Sequence, residues 1–351
     1  MQQSAPAMQP AMQQATPYAV PSLTNFDNCG GGLGGLNAGG TLYYLKPFMP
    51  ANTAYVTVTN PGTPGSSESN TSFQWHYQPA YAAWVGWNFD GGLGLRTRFF
   101  QFSSSSETDT LSNGTTPPPG TQTTINPPLA NLLGLSTGGT AFGSPGSVLN
   151  SGVGTDLLKF TSSLTVSAID LEATYLWKAS NLTLLGSAGA RYLQLNQSYG
   201  ATLTNSGGGT GAHEYQQFNY SRNFSGVGLT AAFQGIYQIG TSNFYLFANG
   251  RASIIAGQSQ ENESFYLNSS YSIFGFPQSQ QINPTANRSS LTTIPIVELE
   301  LGAEYGVNVG RSRFFLRGAA VSQTYFDAGT ATSTTGNMTL FGFQGTVGFN
   351  F

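Results

Sequence analysis

Charge is scarce in this chain. Asp, Glu, Lys and Arg together make up 8% of its 351 residues, against roughly a quarter in ordinary soluble domains. Long apolar runs are missing too: hydrophobic content is 39% and mean hydropathy is −0.14, and no stretch approaches the roughly 18 to 20 apolar residues of a spanning helix. A membrane role must therefore come from tilted strands of about 9 to 11 residues. The single cysteine, Cys29, excludes an intramolecular disulfide and a thiolate metal cage. With a net charge of −3 and a pI near 5.3, nothing points to nucleic acid as a partner.

What the chain does have is glycine, phenylalanine and tyrosine in quantity, 45, 24 and 17 residues respectively, and a period of two. From Phe341 to Phe351 the odd positions are Phe, Phe, Gly, Val, Phe and Phe, while the even positions are Gly, Gln, Thr, Gly and Asn. One face is apolar and the other polar, which no amphipathic helix produces and which a lipid-facing barrel strand requires.

Dividing the sequence by such runs gives ten strands, near 39–48, 79–90, 92–102, 164–178, 182–195, 224–239, 243–256, 293–308, 312–326 and 339–351. Connections after the second, fourth, sixth and eighth are tight and turn-like: Asp90-Gly91-Gly92, Lys178-Ala179-Ser180-Asn181, Gly240-Thr241-Ser242-Asn243 and Gly310-Arg311-Ser312. The others are long and polar, near 49–78, 103–163, 196–223, 257–292 and 327–338. Strict alternation gathers the short turns at one end of a cylinder and the long loops at the other, as in outer membrane barrels. The expected fold is all-β, a transmembrane antiparallel up-and-down barrel of about 10 strands, with 8 or 12 as alternatives if segments such as 52–59 pair. Residues 1–38, rich in Gln, Pro and Gly, are expected to form a disordered tail, and 39–351 a single barrel. The loop around 103–163, with Pro117-Pro118-Pro119, is expected to be mobile or to fold over the mouth.

Parity assigns the faces. Setting the apolar positions outward turns Arg96, Arg98, Asp170, Glu172, Arg191, Arg251, Glu298, Glu300, Glu304 and Arg317 inward. A one-residue slip would move each set into hydrocarbon, at roughly 2 to 4 kcal/mol for a midplane Arg or Lys, so register is strongly specified. Buried charges persist when paired, and five arginines with five carboxylates imply an interior salt-bridge network. Outward aromatics fall near strand ends. Trp87, Phe89, Trp177, Tyr237, Phe244, Phe314 and Phe351 lie toward the short turns, and Phe99, Tyr192, Phe326 and Phe341 toward the long loops, as two interfacial belts would. A soluble β-sandwich would more often carry charged outer faces and would not collect arginines and glutamates opposite its aromatics.

Four stretches, Gly39-Gly40-Thr41-Leu42-Tyr43-Tyr44-Leu45-Lys46-Pro47, Asp170-Leu171-Glu172-Ala173-Thr174-Tyr175, Gly189-Ala190-Arg191-Tyr192 and Glu298-Leu299-Glu300-Leu301-Gly302-Ala303-Glu304-Tyr305-Gly306, resemble the Legionella-type pore-forming major outer membrane protein family. The resemblance runs in order over roughly 39–351. It implies a cell outer membrane location and pore formation, and supplies no catalytic residues. An outer membrane protein needs an export signal, yet Met1-Gln2-Gln3-Ser4-Ala5-Pro6 opens with no basic and apolar regions; the expectation is that the signal was removed or that the start lies elsewhere.

The function expected is a porin-like pore for small solutes, its selectivity set by paired lumen charges. Barrels of about eight strands are filled by their own side chains, which limits that reading. The alternatives are a non-conducting structural or surface-interaction barrel that uses its long loops, and a rim-located barrel protease. The protease would need a carboxylate pair near His76 or His213, drawn from Asp109, Asp156, Glu214 and Asp327. Both histidines read better as loop residues, so no enzyme, cofactor or metal is expected. Gly30-Gly31-Gly32-Leu33-Gly34-Gly35 contains G-x-G-x-x-G, but with neither strand before nor helix after it the match follows from glycine richness. Cys29 reads as a tail thiol and not a lipid anchor. The partners expected are outer membrane lipid and small solutes or ions, in no particular oligomeric state.

Overall fold

The computed structural model describes residues 35–59, 64–89, 91–113, 123–126, 154–207, 213–273, 276–310, 312–333 and 335–351. They form strands and no helix. In chain order these are β1 Gly35–Phe48, β2 Thr53–Thr59, β3 Ser67–Ser72, β4 Gln78–Asn88, β5 Leu93–Asn113, β6 Thr123–Asn126, β7 Gly154–Ala179, β8 Leu182–Gly207, β9 His213–Gln238, β10 Phe244–Ile273, β11 Phe276–Ile282, β12 Thr285–Val309, β13 Ser312–Tyr325 and β14 Met338–Asn350.

Ten of these close into an antiparallel barrel in the order β1, β4, β5, β7, β8, β9, β10, β12, β13, β14 and back to β1. Closure pairs β1 with β14, where Tyr43 faces Gln344. A ring with every edge paired leaves no backbone N–H or C=O to face hydrocarbon, which is the condition for spanning a bilayer with strands. The short turns use backbone that glycine tolerates: Gly91, Gly92, Gly240 and Gly310 all have φ between 59° and 90°, and Ser180 has φ 48°.

Each expected barrel strand is present, but several run far beyond their expected ends. β5 continues to Asn113, β7 begins at Gly154, β8 reaches Gly207, β9 begins at His213, β10 reaches Ile273 and β12 begins at Thr285. Much of the sequence assigned to the loops near 103–163, 196–223 and 257–292 is therefore barrel wall. Outward residues there are mostly Ser, Thr, Asn and Gln, with the exposed Lys159–Glu107 ion pair and a few apolar side chains such as Leu157 and Leu291, so the apolar/polar alternation that marks a lipid-facing strand fades while the backbone pairing goes on. Residues 35–38, expected in the tail, pair with β4 and β14; the rest of that segment lies outside the described residues. Segment 52–59 does pair, but as β2 in a separate three-stranded sheet, β3-β2-β6, and not as an eleventh wall strand. β11 folds back on the upper end of β10.

The outer surface is apolar over one band. On β7 it runs from Ile169 through Leu171 and Tyr175 to Trp177, all about half exposed. On β9 it runs from Val227 to Tyr237, and on β10 from Phe244 to Ile254. A band of about 11 tilted residues matches a bilayer's hydrocarbon core.

Candidate functional site: the barrel interior

The interior is layered. Within the lipid-facing band lies an ionic layer that register itself assembles. Arg96 is the cross-strand partner of Glu172, and Arg98 of Asp170. Asp170 in turn faces Arg191, Arg251 faces Glu298, and Glu304 faces Arg317. Opposite charges on neighbouring strands are thus set at one height before any side chain bends.

Side chains then cross the lumen. Arg191, 2% exposed, gives Nε and Nη2 to the two oxygens of Asp170 at 2.6 and 3.0 Å and Nη1 to Glu298 Oε1 at 2.5 Å. Arg98 Nη1 lies 3.5 Å from Asp170 and 3.3 Å from Glu298, while its Nη2 donates to the Tyr43 hydroxyl at 3.3 Å. Arg96 donates to Glu172 Oε2 at 2.7 Å and to Ser187 Oγ at 3.3 Å. Arg251 pairs with Glu172 and lies 3.4 Å from Asp170. Because β8 and β10 reach β12 and β7 through these contacts, the network ties wall segments together across the barrel.

A second group, Glu304 with Arg313 at 2.7 Å and Arg317 at 2.6 Å, lies nearer the short turns. Arg317 also stacks 3.8 Å above the Phe247 ring and Arg313 4.6 Å above Tyr245. Glu300 accepts from Gln344 Nε2 at 3.2 Å. All ten inward charges read from parity therefore line the interior. Arg313 was missed, although the parity of Phe315 and Arg317 includes it. Arg96, Arg98, Arg313 and Arg317 keep 11 to 16% of their side chains exposed, so the layer is wetted from the short-turn side.

Above the ionic layer the lumen is filled with apolar side chains: Leu164 and Val166 on β7, Leu193 and Leu195 on β8, and Ile255, Ile294 and Ile296 facing them, all buried. Segments between strands fold inward to cap this seal. Asn52 Nδ2 donates to Ser162 Oγ at 3.2 Å, Tyr199 OH to the Ala54 carbonyl at 2.9 Å, and Phe73 and Trp75 pack beneath. The β13–β14 connection is strapped into the mouth: Arg222 Nη1 donates to the carbonyls of Ala328 and Ser333 at 2.9 and 3.3 Å, and Gln197 to that of Gly329 at 3.1 Å. Arg222, Glu261 and Glu263 were invisible to the sequence reading because they lie on strand extensions beyond the expected ends. Burial pushes the Glu263 carboxyl above its ordinary range, and pushes the Tyr220 hydroxyl upward as well, with the charge of Glu263 adding to the effect.

The aromatics lie on the outer wall. Trp87, Phe89, Trp177, Tyr237, Phe244, Phe314 and Phe351 are exposed toward the short turns, and Tyr192, Phe326 and Phe341 toward the long ones. Phe99 is half-buried against Tyr81, ring centroids 6.2 Å apart. Tyr305 joins the lower belt, 5.0 Å from Phe244. Of the rim candidates, His76 is exposed in the segment after β3, and Asp327 is exposed with φ 52°. Asp109, Asp156, His213 and Glu214 fall in strands β5, β7 and β9 and not in loops.

A closed wall, greasy outside and ionic inside, defines a transmembrane barrel of the outer membrane type. Residues 34–350 match the family model described as Legionella pneumophila major outer membrane protein precursor. The chain belongs to that family, and the protein resides in the outer membrane. Among solved structures it is similar to the outer membrane protease OmpT of Escherichia coli, with 11% identity, TM-score 0.40, and 90% of this chain and 96% of that chain covered. It is also similar to a Pseudomonas aeruginosa FadL homologue, with 7% identity, TM-score 0.25, and coverage of 91% and 90%. No curated protein matches the chain.

Proposed function

We propose that the protein is a porin-like pore for small solutes, held shut in this conformation, in which the ionic layer sets selectivity and the apolar layer above it is the gate. The observation that carries this reading is the ionic layer itself. An inert plug has no need of it: replacing a buried ion network with packed apolar residues is commonly neutral or stabilising by about 1 to 4 kcal/mol, and apolar filling already occupies the layer above. Charges of both signs, still reached by water from the short-turn side, suit a lumen that handles ions.

The filled lumen favours a second reading, a non-conducting structural or surface-interaction barrel, since ten strands leave little room beyond their own side chains. Planar-bilayer conductance of the purified protein separates the two. For the pore, channels open with an ion preference that moves toward cations in Arg96→Ala and toward anions in Glu300→Ala. Thinning the seal with Ile255→Ala and Ile294→Ala raises the open probability. A protein that stays silent in all four forms is the structural barrel.

A further inference from the structure

Above the lipid-facing band the outer wall changes chemistry while its pairing continues. Register places four successive rows across β7, β8, β9, β10 and β12. The lowest reads Ser167, Gln194, Ser225, Gln258, Leu291; the next Thr165, Asn196, Asn223, Gln260, Ser289; then Ser163, Ser198, Ser221, Asn262, Asn287; and finally Thr161, Gly200, Asn219, Ser264, Thr285. None of these outward positions is charged, and Leu291 is the one apolar side chain among them. Amide-rich rows cannot lie in hydrocarbon, so this face stands in the headgroup region and beyond.

The upper two rows are dished. Thr161, Ser198, Gly200, Asn219, Ser221, Asn262, Ser264, Thr285 and Asn287, together with the buried Tyr199, Tyr220 and Glu263, line an open depression of about 360 Å³. Its floor depends on a missing side chain, because a Cβ on Gly200 would meet Thr161 Oγ1 at 2.7 Å. The polar groups around it are held in place by one another: Ser163 and Ser198 hydroxyls at 2.6 Å, Asn262 Nδ2 to Ser221 Oγ at 3.2 Å, and Asn219 Nδ2 to Ser264 Oγ at 3.4 Å. Each amide is an acceptor and a double donor, so both asparagines keep bonding capacity turned to solvent.

We propose that this wall binds the uncharged sugar chain of an outer-leaflet glycolipid, with the Gly200 depression as the seat for a sugar unit. Height argues for that source. From Tyr192, at the top of the lipid-facing face of β8, to Ser198 is about 20 Å along the strand, or about 15 Å above the hydrocarbon once strand tilt is included; lipid headgroup phosphates lie lower. Charge agrees, because phosphate recognition calls on Arg or Lys and these rows contain neither, while fixed hydroxyls and amides match a neutral polyol.

Calorimetric titration tests this with the whole protein in detergent. The probe is the lipid-free polysaccharide released by mild acid from the glycolipid of the same outer membrane, with the matching phosphorylated lipid fragment as comparison. Saturable binding of the polysaccharide is expected, weakened at least tenfold by Asn219→Ala with Asn262→Ala and by Gly200→Val. Heat-modifiable gel mobility checks that the variants are closed barrels. No binding of the polysaccharide to the unaltered protein overturns the proposal, as does binding of the lipid fragment alone, or polysaccharide binding indifferent to the asparagine pair in a folded variant.

Discussion

Arg191 shows what a single inward position contributes. Its guanidinium holds Asp170 and Glu298 together at 2% exposure. Breaking a buried pair from one side strands the partner charge at a cost of about 3 to 5 kcal/mol. Arg191→Met should lower the stability of the folded barrel by that order, read from the urea midpoint of heat-modifiable mobility, and adding Asp170→Asn with Glu298→Gln should not restore it, because the same two acids are the partners of Arg98. Glu263 makes the opposite case. Its carboxyl is raised by burial, so the folded state prefers it protonated: no penalty exists below the unfolded value, and the penalty grows as pH rises through the folded one. Glu263→Gln should therefore raise the denaturation midpoint at pH 7 and leave it unchanged at pH 4. A lower midpoint at pH 7 would mean that the carboxylate is serving as a needed anion.

At the scale of the strand, alternation reveals a face only where the two sides meet different solvents. Ile169 to Trp177 face lipid opposite Asp170 and Glu172, and the contrast is plain in the sequence. Thr161 to Thr165 face water opposite Phe160 and Leu164, but Ser and Thr carry so little contrast that the same strand read as loop. For the same reason Arg222 and Glu261 went unassigned, and β6 could not be placed because its partner β2 is distant in sequence, while β2 and β3 pair locally but with the Ser, Thr and Asn of β3 giving little apolar contrast. The inward charges were legible because parity fixes them, yet which arginine meets which acid depends on register between strands. Two substitutions on β7 locate the boundary. Leu171→Arg should cost about 2 to 4 kcal/mol in folding into vesicles, and Ser163→Arg, eight positions away on the same outward parity, should stay within about 0.5 kcal/mol.

For the molecule as a whole, the order of layers makes the interior asymmetric. From the short-turn side a solute meets half-exposed Asn249 and the partly wetted Arg96, Arg313 and Arg317. From the long-loop side it meets the strap held by Arg222 and then the fully buried Ile255, Ile294 and Leu193. The two ends should therefore differ in access even though one wall encloses both. In a Cys29→Ser background, Asn249→Cys should react with a charged thiol reagent only after the outer membrane of whole cells is permeabilised, and removing the strap contact with Arg222→Ala should not change this, because the apolar layer lies beneath it. Adding Ile255→Ala and Ile294→Ala should open the route, so that labelling of intact cells rises at least tenfold. Rapid labelling of Asn249→Cys in intact cells without those changes would mean that the lumen is already continuous at rest and that the apolar layer is no barrier.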